Sequence, residues 1–173
     1  MPDFRTGRME NLLYGLVKGM APWLAFFTIW SSYLKKNGWT HSVDLEGYVL
    51  AREHNKKIVF LETIEEQINI LESLSYKRIL DFLKLVDNWH DFSKEYSKCY
   101  LNGNLSKLRS MRLGFPSRHY SVINYRDEIF YTKMAPHLKH GDALAFVGAP
   151  HVQGLSRRLI ENGYQMEGPE IHI

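Results

Sequence analysis

Glu62 and His151 are the side chains of this sequence best placed to do chemistry together. Each closely follows a short apolar run: KIVFL (57–61) leads straight into Glu62, and ALAFVG (143–148) leads through Ala149 and Pro150 to His151. Such runs are what a buried parallel strand needs, and open α/β sheets place ligands beyond the carboxyl ends of their strands. With the two runs side by side, a carboxylate and an imidazole meet at one mouth, an arrangement suited to general acid–base work or to holding a metal. The spacing puts His151 on the loop before a helix start, where the positive helix end disfavours imidazolium and keeps the ring neutral. Two further polar residues reach the same place. Arg126 lies among Val122, Ile129, Phe130 and Met134 at helical spacing, and an arginine on a buried face requires an anion. Gln67 shares a helix face with Ile64, Ile68 and Leu71, so it reads as an inward amide that needs partners. Gly148 and Gly154 allow a ligand or another backbone to approach closely.

Plainer readings stand beside these. Glu62 complements the dipole of the helix after it and pairs with Arg126. His151 is an ordinary loop histidine, and Gln67 is a core hydrogen-bonder. His137 and His140, three apart near a helix end, make either a surface metal pair or two solvated side chains.

The elements that must position these residues are mostly helical. A helix over 10–19 carries Leu12, Leu13, Leu16 and Val17 on one side, and a second, begun by Pro22, runs to Lys36 before Asn37-Gly38 stops it. A shorter helix over 44–54 turns Leu45, Val49 and Ala51 inward. Thr63 with Glu66 is a capping box, so a helix begins at once after the first strand. One long amphipathic helix is expected over 75–100, with the stripe Ile79, Phe82, Leu83, Val86, Trp89, Phe92 and Tyr96, ended by Asn102-Gly103. A short helix follows over 105–113, and then, after Gly114-Phe115-Pro116, a helix capped by Ser117 and running to about 140. Val152, Leu155 and Leu159 give the last helix, Asn162-Gly163 its stop, and 164–167 a third extended run. The expected class is therefore α/β: a helix-rich domain with a small sheet formed by strands near 57–61, 143–148 and 164–167. A parallel sheet that thin is incomplete by itself and calls for further strands, from a partner chain or from sequence upstream of Met1.

Length and composition narrow the classes. The 173 residues read as one domain. Twenty-two basic against nineteen acidic residues leave +3, too balanced for a nucleic-acid partner. The run Lys107, Arg109, Arg112, Arg118 reads as a solvated face. A lone cysteine, Cys99, excludes an internal disulfide and a cysteine-rich zinc site. The uncharged stretch 19–34 is shorter than a membrane span and is diluted by Pro22, Ser31 and Ser32, so it reads as a helix buried among others.

Several segments together resemble the TraB/GumN family, which includes the TIKI-like metal-dependent proteases. KKIVFLETIEEQINILESL resembles its Leu-Glu-Thr…Gln segment. DALAFVGAPHVQGLSRRLIENGYQME resembles its closing segment, with a Gly-x-x-His motif at Gly148 to His151, the following Gly154 and a Gly-Tyr element. YRDEIFYTKM resembles its arginine helix through Arg126, VDLEGYVLA its aspartate-bearing helix through Asp44, and APWLAFF the helix leading into it. The likeness covers the chain from about Pro22 to the end. It implies an α/β domain whose site gathers two Gly-x-x-His histidines and two glutamates around a divalent metal ion. Glu62 and His151 supply one half of that set, with Arg126, Gln67, Gly148 and Gly154 in support. The family's opening strand, first Gly-x-x-His and glutamate-bearing strand have no counterpart, because Met1 falls where its middle helices begin. The reading is a TraB/GumN-like domain over 1–173 lacking those strands, with a partner chain or a homo-oligomer completing the sheet. The implied function is a metal-dependent peptidase or hydrolase acting on a peptide or small-molecule substrate, incomplete and inactive as this chain. The alternative is a non-catalytic peptide- or ligand-binding module related to pheromone-shutdown proteins.

Overall fold

The computed structural model describes residues 15–110 and 114–168. The chain divides into two compact units, Met1–His41 and Ser42–Ile173. The first contains α1 (Pro22–Lys36), opened by its proline and closed by Asn37 and by Gly38 at φ 86°. Phe26 and Trp30, one turn apart, are its buried residues. Half of the helix expected over 10–19 lies outside the described residues, and 15–17 of the remainder are helical. Among the described residues no helix is long and apolar enough to cross a membrane.

The second unit holds α2 (Val43–Glu53), α3 (Ile64–Glu72), α4 (Tyr76–Leu83), α5 (Trp89–Leu101), α6 (Leu105–Ser110), α7 (Tyr120–Leu138) and α8 (Ala149–Glu161). Helices α7 and α8 pack along each other, and α6 packs on both α5 and α8. Phe130, Met134 and Leu155 form the buried centre of the α7–α8 contact. A second, aromatic centre surrounds Phe82, whose ring stacks on Trp89 at 5.5 Å and meets Phe92 and Phe115 edge-on.

The expected sheet is absent, so the α/β class is corrected: among the described residues the protein is all-helical. Residues 57–61, 143–148 and 164–167 carry no ladder, and no backbone hydrogen bond joins one of these runs to another. An apolar run becomes a strand only where a neighbour offers its N–H and C=O groups in register. Here 57–61 and 143–148 line one trough without bonding to each other, and Leu61 and Val147, near their carboxyl ends, pack against the core. Upstream of those anchors Phe60 is 70% exposed and Leu144 82%. The Tyr164 N–H closes the end of α8 on the Leu159 carbonyl, and the segment beyond it pairs with nothing described.

Three helix readings also change. The long helix over 75–100 is broken into α4 and α5 by a 3-10 turn at Val86–Asn88. The break lets Trp89 fold back on Phe82, with its indole N–H donating to the Phe82 carbonyl at 3.2 Å, a gain that only tertiary packing reveals. Ser117 sits inside a 3-10 turn, Pro116–Arg118, and α7 starts after His119. In α2 the inward residue is Gly47, with Leu45 and Val49 exposed, because the Phe146 ring lies where a side chain would stand.

The capping box at α3 is present in full. Thr63 N–H donates to Glu66 Oε2 at 2.7 Å, and Glu66 N–H donates to Thr63 Oγ1 at 3.1 Å. Thr63→Ala should cost about 1 kcal/mol in denaturant unfolding. Glu66 also accepts from Lys133 Nζ of α7, and that bond, followed by the one from the Thr63 N–H, holds its carboxyl below the ordinary glutamate value. A carboxyl lowered in the folded chain stabilises it above the ordinary value, and the contribution vanishes as pH falls through the lowered one. Melting curves over an acid series should therefore decline less steeply for Glu66→Gln than for the wild type.

Candidate functional site

Helix α7 lines the site along one face. Arg126, Phe130, Met134 and His137 recur at four, four and three residues, and all four line the trough that 57–61 and 143–148 also line. Eleven residues of helix extend ~16 Å, about the length of a five-residue strand. The trough encloses about 1200 Å³. Glu62, Gln67, Gly148 and His151 line it too, so the acid and the imidazole do face one hollow, with Arg126 and Gln67 beside them.

Glu62 is committed to an arginine. Arg126 Nε donates to Oε1 at 3.1 Å and Nη2 to Oε2 at 2.9 Å, a bidentate pair with the Glu62 side chain 10% exposed and that of Arg126 23%. The anion that Arg126 requires is thus Glu62, as the plainer reading had it. Together with Glu66–Lys133, the pair fastens the start of α3 to α7. Gln67, by contrast, is exposed, and so are Ile64 and Ile68; Ile70 is the buried residue of α3. Of the face expected to be inward, Ile64 and Gln67 line the trough.

His151 is not on a loop. Pro150 occupies the first turn of α8, where its missing N–H costs nothing, and His151 follows within that turn, 6% exposed. Its Nδ1 lies 2.6 Å from Oδ1 of Asp127, which is 1% exposed. Phe130 packs on the ring at 5.0 Å between centroids. The opposite, Cδ2 edge faces Gly148: a Cβ on that glycine would sit 3.7 Å from Cδ2. Gly154 proves to make room for a side chain of the same molecule, since a Cβ there would fall 1.9 Å from Asp127 Oδ2.

Asp127 was missed by the sequence reading, although the signal was there. Ile123, Asp127, Phe130 and Met134 follow one another at four, three and four residues and are all buried. The true inward stripe of α7 lies one residue on from the one centred on Arg126, and a carboxylate on such a stripe demands a partner.

These donors fall short of a metal centre. Among the described residues no group of three or more His, Cys, Asp or Glu side chains is placed to hold an ion, whereas a catalytic zinc takes three protein ligands. Both Glu62 oxygens already accept from Arg126. The divalent ion implied by the resemblance would need donors beyond this set.

The chain matches no curated protein and no solved structure. A family model described as the TraB/PrgY/gumN family matches residues 6–168, starting earlier than the resemblance noted from Pro22. The matched span contains Glu62, Gln67, Arg126, Gly148, His151 and Gly154, and the chain belongs to the TraB/PrgY/gumN family.

Proposed function

We propose that this chain carries the imidazole arm of a hydrolytic site whose substrate is a peptide lying along the trough. The supporting observation is a buried histidine, backed by a buried carboxylate, lining a trough as long as a short extended segment. His151 Nε2 takes a proton from the water that attacks the scissile carbonyl, and the same proton is delivered to the leaving amine. Arg126 has donors left on Nη1 after its two bonds to Glu62, and these meet the negative charge that develops on the carbonyl oxygen. The test is cleavage of a mixed peptide library, read by mass spectrometry with and without added divalent ions. His151→Gln should slow cleavage by roughly 10²-fold or more. Intact peptides with the wild type under every ion condition, or wild-type rates in the variant, would refute the reading.

A second reading rests on the unpaired extended runs. Residues 57–61 and 143–147 make no backbone–backbone hydrogen bond and line the trough with exposed Phe60, Leu144 and Phe146, which is how an edge receives an added strand. An extended segment from a partner chain would bond to that backbone without any catalysis. Saturable peptide binding unchanged by chelator and lost in Phe60→Asp/Leu144→Asp supports it. Unaltered binding in that variant counts against it.

A further inference from the structure

We infer that Asp127 is the positioning residue of His151: it fixes the ring as the Nδ1–H tautomer and so makes Nε2 the lone pair offered to the trough. This rests on the hydrolytic reading for its use, but not for its test. A carboxylate oxygen at 2.6 Å from Nδ1 accepts, so the proton of a neutral ring belongs on Nδ1. The pair cannot rearrange cheaply, because Asp127 is 1% and His151 6% exposed, and Phe130 packs on the ring. The second oxygen, Oδ2, is buried with no hydrogen-bond partner. It faces the Gly154 hydrogen that a Cβ would replace, a weak C–H···O contact that leaves Oδ1 as the only strong acceptor the carboxylate turns to a donor. Gly154 is therefore the cradle of the positioning carboxylate. The Cδ2 edge of the ring, next to Nε2, lies towards Gly148 on the trough wall.

The experiment is ¹⁵N–¹H correlation spectroscopy of the histidine rings in the full chain, assigned with His151→Gln and recorded at alkaline pH, where imidazoles are neutral. The expected wild-type signature is a protonated Nδ1 and an unprotonated Nε2 for His151. Asp127→Leu, close in shape but without an acceptor, should shift His151 to the Nε2–H form that an unrestrained histidine favours. Asp127→Asn, which keeps an acceptor oxygen, should retain the wild-type form. A wild-type ring protonated on Nε2 overturns the inference even if no variant folds, and so does a folded Asp127→Leu with an unchanged ring. A locked tautomer in a protein that cleaves nothing would sink the hydrolytic reading alone.

Discussion

Gly154→Ala should lower the unfolding free energy by ~2–3 kcal/mol, the upper part of the range for forcing extra atoms into a packed interior. The new methyl would stand 1.9 Å from Asp127 Oδ2. The carboxylate is on a short side chain, is buried, and is held by His151, so it cannot swing aside without giving up that hydrogen bond. A left-behind charge then adds its own penalty. Two comparisons separate this from a general intolerance of alanine in the first turns of α8. Gly148→Ala has φ −60° and an ordinary 3.7 Å contact, and should change stability little. Gly154→Ala combined with Asp127→Ala should be more stable than the sum of the two single losses predicts, because the Asp127 Cβ that remains is 3.6 Å away. Urea unfolding of the four proteins measures the coupling. Simple additivity would mean that the alanine is rejected by something other than Asp127.

Arg126→Ala should be the next most damaging change, at about 2 kcal/mol. Breaking a fully buried ion pair costs ~3–5 kcal/mol, and the discount reflects the partial exposure of both partners. The loss leaves the Glu62 carboxylate nearly buried without a donor and removes the guanidinium that lies 5.2 Å from the Phe130 ring. Arg126→Lys should recover only part of it, since an ammonium cannot make the two parallel bonds to Oε1 and Oε2. If Glu62→Gln/Arg126→Met proves as stable as the wild type, the pair serves the geometry of the trough rather than stability, and peptide binding is then the quantity to compare.

What the sequence showed and what it hid divide along physical lines. Local signals were legible: the Asn-Gly stops appear with Gly38, Gly103 and Gly163 all at positive φ, and the Thr63–Glu66 box closes as read. The family was legible too, because Glu62, Thr63, Gln67, Gly148 and His151 occur in the right order. The failures were non-local. Whether an apolar run becomes a strand depends on a neighbour that the run does not encode, so 57–61 and 143–148 could not be told from strands by composition. The break between α4 and α5 depends on Trp89 reaching Phe82. Asp127 was hidden by helical phase: a shift of one residue, ~100° around α7, exchanges Arg126 for Asp127 as the inward polar group.

Asn55 and Asp142, the two non-glycine residues with positive φ among those described, stand one or two positions ahead of the extended runs. Each run thus leaves a helix end through a left-handed residue and lands in the α7–α8 core through Leu61 or Val147. A segment anchored near both ends has fewer conformations to lose than a free one. The proposed occupant would meet backbone fixed near both ends of each run, so its association should carry a smaller ordering penalty than docking on a free segment.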